Sequence, residues 1–234
     1  MSIVREIDWD LRISADDVLR GQGADPAVTR ARRPLLAERA EAALAMAQPL
    51  LRPVVLHSEL RVVAHDAELL ELENGPFACG PWVAARLVAA ERLVVAVCTV
   101  GEALETAVAR TFPEDPVTAL ALDGVGSAAI EKLASQACRR FQAQARREGL
   151  RGVVHCWPGA SEWPTEMAQP QIFGLLDPDF DVGGEVRLLP SFVMRPLKSL
   201  TLLLGLTREP VPAEHECDIC AVRGSCRYRA ANRA

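Results

Sequence analysis

Several absences narrow this chain before any motif is considered. Positive charge is not in excess. A net charge of −5 and a pI near 5.5 argue against nonspecific nucleic-acid binding, which needs clustered positive potential. The opening Met1-Ser2-Ile3-Val4-Arg5-Glu6 lacks a basic segment leading into an apolar stretch, so no secretory leader is expected. Long apolar runs are missing as well: Leu200 to Leu206 falls far short of the roughly 20 residues of a membrane span. A cytoplasmic, soluble protein of the α+β or α/β class is expected, with neither nucleic acid nor membrane as partner. G-x-S-x-G, the Walker loop and the dinucleotide glycine pattern are also absent, which removes the commonest cues for hydrolases, P-loop enzymes and Rossmann enzymes. Without internal repeats or low-complexity linkers, the chain reads as one domain with a distinct tail.

What is present suffices for a substantial core, since 50% of the 234 residues are hydrophobic. Ser14-Ala15-Asp16-Asp17 opens a short helix with Ser14 as N-cap, ending at Gly21-Gln22-Gly23. A longer helix restarts at Pro34, and Leu36, Ala40, Ala43, Ala47 and Leu50 form its buried stripe. Val54 to Glu73 reads as short β pieces, closed by the Asn74-Gly75-Pro76 turn. Pro81 to Arg92 reads as an Ala-rich helix. Leu93 to Cys98 is a continuous apolar run, the mark of a strand buried on both faces. Thr99 and Glu102 then fit a capping box.

A long helix is expected from about Val117 to Glu148, its core stripe formed by Leu122, Val125, Ala129, Leu133, Ala137 and Phe141. Gly124, Ser127 and Glu131 share another face, which serves either close approach of a ligand or close packing against a second helix. Gly152 to Val154 forms a short strand, Pro170 opens a helix from Gln171 to Leu176, and Leu200 to Thr207 is the last strand. His57 and His65 read as structural residues. The acidic turn Asp177-Pro178-Asp179-Phe180-Asp181 lacks the glycine position and the closing glutamate of a calcium loop.

Seven cysteines in a chain expected to stay unsecreted point to thiols or metal ligands rather than a disulfide framework. Cys98 and Cys138 fall in apolar stripes and read as core. Cys217-Asp218-Ile219-Cys220, with Cys226 five residues further on, sets three thiols at ligand spacing. An iron–sulfur cluster, a zinc ion, or free or redox-paired thiols would each account for them. A fourth ligand would come from His215, from Cys156 or Cys79, or from outside the chain.

The stretch from His155 to Ser199 gathers Trp, Pro and Gly whose backbone constraints exceed what a core needs. Its motifs, with those before it, resemble the activation (reactivation) domain of cobalamin-dependent methionine synthase, and especially the freestanding proteins similar to that domain. The resemblance rests on Val18-Leu19-Arg20, Cys98-Thr99-Val100-Gly101, Gly126-Ser127-Ala128-Ala129-Ile130-Glu131, Pro158-Gly159, Trp163-Pro164, Gln169, Ile172-Phe173, Leu175-Leu176, Met194, Pro196, Lys198 and Ser199, in that order. It implies an α+β fold, a curved mixed domain with long helices and a mainly antiparallel sheet. Residues 1–210 would form that domain, helical to about residue 53, and residues 211–234 a Cys-rich metal- or cluster-binding tail.

The function implied is reductive reactivation of a corrinoid protein or cobalamin-dependent methyltransferase, with S-adenosylmethionine as methyl donor and a reductant protein as a further partner. One electron and one methyl group would restore methylcobalt on the partner. The ligand-binding positions implied are Glu131, the turn His155, Trp157, Pro158, Gly159 and Ala160, and Lys198. His155 stands where the synthase domain has Arg, and Ala160 where Tyr usually follows Pro-Gly. The freestanding relatives often end in a Cys cluster, so the resemblance also implies metal ligation by Cys217, Cys220 and Cys226, for which Cys156 is a candidate fourth ligand.

Overall fold

The computed structural model describes residues 3–156, 158–159, 163–210 and 224. After β1 (Val4–Glu6) come α1 (Ala15–Gly21), α2 (Pro26–Arg32), α3 (Pro34–Ala47) and a 3-10 turn (Gln48–Leu50). The middle of the chain is β2 (Val54–His65), β3 (Leu70–Leu72), β4 (Gly75–Phe77), α4 (Gly80–Arg86), β5 (Arg92–Thr99), α5 (Ala103–Thr111) and α6 (Pro116–Arg147). β6 (Arg151–Cys156) and α7 (Thr165–Leu176) follow. The short strands β7 (Asp181–Val182), β8 (Val186–Leu188) and β9 (Met194–Arg195) precede the last strand, β10 (Ser199–Thr207).

The apolar run of β5 is the middle of the main sheet, whose order is β4-β3-β2-β5-β10-β6, with β1 on the outer edge of β2. Every pairing is antiparallel. Alternation sends Leu93, Val95 and Val97 into the core shared with α4 and α7. Val94, Ala96 and Cys98 go into the core beneath α6. Covering both faces explains why no polar residue interrupts the run.

α6 has two buried stripes. Ala129, Leu133, Ala137 and Phe141 lie on the sheet. Ala121, Leu122 and Val125 meet Val18 and Leu19 of α1 and the alanines of α3. The layers are therefore α1 and α3, then α6, then the sheet, then α4, α7 and the small sheet. α1 and α6 touch through glycines: a Cβ on Gly21 would lie 2.4 Å from the Gly124 carbonyl oxygen. The face bearing Gly124 is, at that residue, a helix–helix contact and not open to a ligand.

Local signals give the helix ends well. Ser14 caps α1 in a reciprocal box with Asp17, and Asp115 caps α6 through the Thr118 amide. Four expectations need correcting. The β pieces before Glu73 include one continuous twelve-residue strand, β2. α4 stops at Arg86 because Arg92 already belongs to β5. Thr99 does not cap a helix. It ends β5, its hydroxyl accepts the Gly101 N–H at 3.2 Å, and α5 starts at Ala103 without a side-chain cap. Finally, α7 begins at Thr165, so Pro170 lies inside it. An interior proline costs about 3 kcal/mol, which is offset here by burial of Ala168, Ile172, Phe173, Leu175 and Leu176.

Candidate functional site

Asp123, Ser127 and Glu131 are spaced four residues apart on α6 and so stack along one side of it. The backbone just before β10 crosses this side and delivers Lys198. Its Nζ lies 2.8 Å from Asp123 Oδ1 and donates to Ser127 Oγ at 3.0 Å. Ser127 in turn donates to the Asp123 carbonyl at 3.3 Å. Gly126 makes the crossing possible, because a Cβ there would come within 2.9 to 3.1 Å of the Lys198 stem.

The turn that carries Lys198 is held from three sides. Glu105 of α5 accepts from the Arg195 guanidinium and, at 2.8 Å, from the Leu197 amide. Val100 N–H donates to the Lys198 carbonyl at 3.1 Å, and the Ser199 hydroxyl lies 2.9 Å from Thr99 Oγ1. The Arg195–Pro196 peptide is cis. Beside this turn opens a groove of about 360 Å³, floored by Leu104, Val108, Phe112 and Leu197 and edged by Glu105, Asp123 and Lys198.

Glu131 lies one helical turn beyond Ser127. It is solvent-accessible and forms no hydrogen bond or ion pair among the described residues. The surrounding protein mass raises its carboxyl above the ordinary glutamate range by desolvation. A carboxylate in that condition favours a cationic neighbour.

The Pro158-Gly159 turn stands at the end of β6. Gly159 has φ +99° and is exposed, and its N–H donates to the Trp163 carbonyl at 3.0 Å. Trp163 is fully buried and donates through Nε1 to Gln171 Oε1 at 2.9 Å. Gln171 itself reaches the Ala78 carbonyl, so this tryptophan anchors the turn to α7 and to the link between β4 and α4. His155 pairs with Leu204 in the β6–β10 ladder. Trp157 and Ala160 lie outside the described residues, as do Cys217, Cys220 and Cys226.

Cys156 is fully buried in the core that also contains Cys79, and burial pushes its thiol up to about 12. Cys98 and Cys138 are core residues, as expected. Among the described residues no three His, Cys, Asp or Glu side chains gather as metal ligands, and no helix is long and apolar enough to cross a membrane.

Of the expected ligand positions, the fold brings Lys198 onto the helix face that carries Glu131. Asp123 and Glu105, which position Lys198 and its turn, were not anticipated. Asp123 had a signal in its four-residue offset from Ser127; Glu105 had none, because its partners lie 90 and 92 residues away.

These features define a mixed α/β domain built on a curled antiparallel sheet that a long helix spans. No family model matches the chain, and no curated protein matches it in sequence. In fold it is similar to a solved structure described as the MetH reactivation domain bound to AdoHcy. The TM-score is 0.58 over 90% of this chain and 80% of that chain, at 13% sequence identity. At that identity the likeness is one of fold.

Proposed function

We propose that this protein reactivates a corrinoid methyltransferase or corrinoid protein, binding S-adenosylmethionine near Glu131 and the Pro158-Gly159 turn. The observation that carries the reading is the fold likeness over 90% of the chain to a domain described with bound AdoHcy. The order of motifs from Gly126 to Ser199 supports it independently. Glu131 fits a cationic ligand, because a positive group brought near it offsets the desolvation that disfavours its charged form. Gly159, exposed and without a Cβ, lets a ligand approach the backbone. Lys198, neutralised by Asp123, fixes the wall of the site rather than adding net charge. When bound, S-adenosylmethionine supplies an activated methyl group; the partner's reduced cobalt is its acceptor.

Calorimetry of the purified protein with S-adenosylmethionine tests this reading. Binding is expected, with weaker binding and slower cobalamin reactivation for Glu131→Ala. No heat, together with no effect of Glu131→Ala on reactivation, refutes the methyl-donor role.

The Cys217-x-x-Cys220 and Cys226 motif carries a second element of the proposal. In this reading the cysteines of residues 211–234 bind an iron–sulfur cluster, a source of the electron that reductive reactivation requires. Zinc in the same tail would make it a structural staple instead. An anaerobic absorption spectrum with metal and sulfide analysis decides between them: a brown protein absorbing near ~400 nm supports the cluster, and a colourless one with stoichiometric zinc refutes it.

A further inference from the structure

One largely buried titratable ring has no part in the site described above. His57 lies in β2 between Val4 of β1 and Ala96 of β5, and its ring centroid is 4.7 Å from that of Phe141 on α6. Both ring nitrogens are buried, and neither makes a hydrogen bond among the described residues. Glu6 of β1 faces the ring, with Oε1 3.4 Å from Nε2.

Glu6 is also the hub of a second set of contacts. Its Oε2 accepts from Arg140 of α6 at 2.6 Å, and its carbonyl accepts from Trp9 Nε1 at 3.1 Å. The Arg140 guanidinium stacks on the Trp9 ring, 3.7 Å from its centroid, and donates to the Asp8 carbonyl at 3.0 Å. Gln136, one turn earlier on α6, donates to the Asp10 carbonyl at 2.8 Å. Residues 7–13 thus form an irregular strap along α6 that joins β1 to α1. The Glu6 carboxylate ties the start of that strap to α6 and sets it against His57.

Two opposed influences act on a proton at His57. Burial disfavours the imidazolium and is the larger, which sets the ring's pKa below the ordinary histidine value. The carboxylates of Glu6 and of Glu59, two residues along β2, offset part of that cost. Both are already engaged, Glu6 by Arg140 and Glu59 by Arg92, which also holds Glu148 at 2.7 Å. β1 lies along the edge of β2 at this residue. Lifting β1 with the strap opens that edge to water and removes the burial cost. A neutral ring therefore favours the closed arrangement. A protonated ring favours the lifted one, so closure weakens as the pH falls below about 6.5.

We propose that His57 and Glu6 form a pH-sensitive clasp on the N-terminal strap, closed at neutral pH and loosened on acidification. The strap leads into α1, whose Asp17 pairs with Lys132 next to Glu131, so the clasp acts on the flank of the candidate site. It does not depend on which ligand that site holds.

Hydrogen exchange of the full chain, read by mass spectrometry and corrected for the intrinsic pH dependence of exchange, tests the clasp. Between about pH 7.5 and about pH 5.5, protection of residues 4–13 is expected to fall several-fold. Protection of β5, in the middle of the sheet, should change less. His57→Phe keeps a ring against Phe141 and should hold the strap equally at both pH values. Glu6→Gln removes a carboxylate that favours the proton and should enlarge the response; a response lost in that variant assigns the sensing to Glu6 and overturns the role of His57. A titration of the wild-type ring by NMR needs no variant, and its midpoint should lie below that of an unstructured histidine, about 6.5. The proposal is also overturned if strap protection in wild type does not change with pH, if His57→Phe shows the same loss, or if the ring titrates at or above the unstructured midpoint.

Discussion

Alanine at Gly21 probes the contact that seats α6 between the helical layer and the sheet. The added Cβ would stand 2.4 Å from the Gly124 carbonyl oxygen, 3.2 Å from its carbon and 3.3 Å from the Ala128 nitrogen. All three are backbone atoms, so no rotamer change relieves the clash, and α1 must withdraw by roughly 1 Å to restore ordinary contact. Alanine gains up to about 1 kcal/mol in helix propensity. Overpacking costs about 1–3 kcal/mol. Lifting α1 also loosens Val18 and Leu19, both fully buried, each of which contributes about 1.5–3 kcal/mol when completely covered. The net expectation is a loss of about 2–4 kcal/mol. Urea denaturation followed by circular dichroism should show the midpoint falling by roughly 1–2 M at unchanged slope. Gly174→Ala is the matched control: it lies on the exposed side of α7 with no atom within 4 Å of its Cβ. That variant should gain about 0.5–1 kcal/mol. A Gly21→Ala protein as stable as wild type would refute the close α1–α6 crossing.

Three further outcomes are expected. Glu105→Ala removes the acceptor for Arg195 and for the Leu197 amide; it should cost about 1–3 kcal/mol and speed hydrogen exchange at residues 194–198. Glu131→Gln tests the raised carboxyl: the native state disfavours its charged form, so wild-type stability declines as pH rises through the ordinary glutamate range to the raised value and then levels off. The glutamine variant should lack that decline, and an unchanged stability-versus-pH curve would count against the desolvation of Glu131. The thiols of Cys79, Cys138 and Cys156 are pushed up to about 11, 12 and 12, and that of Cys98 higher still. Alkylation near pH 8, mapped by mass spectrometry, should therefore reach these four only in denaturant.

Helix ends and buried runs were legible in the sequence because they are decided within a few residues. Ser14, marked as an N-cap, closes its box with Asp17 three residues on. The stripe from Leu122 to Phe141 repeats at helical spacing, and the run from Leu93 to Cys98 could only be buried on both faces. Where a local pattern competed with a distant partner, the distant partner won. Thr99 looked like a cap, but its hydroxyl meets Ser199, 100 residues away, at the centre of the sheet. Pro170 looked like a helix start, but the buried residues around it carry the helix through. Gly124 could serve a ligand or a second helix, and only the fold shows that α1 occupies the space.

The candidate site divides in the same way. Sequence alone marked Glu131, Pro158-Gly159 and Lys198, since their residue types and order survive without coordinates. Only the tertiary structure set Lys198 on Ser127 across 71 residues, tied its turn to Glu105, and buried Cys156 in the core that holds Cys79. Caps and stripes form between near neighbours along the chain. Pairing and desolvation depend on what the whole fold brings together, and no local pattern encodes them.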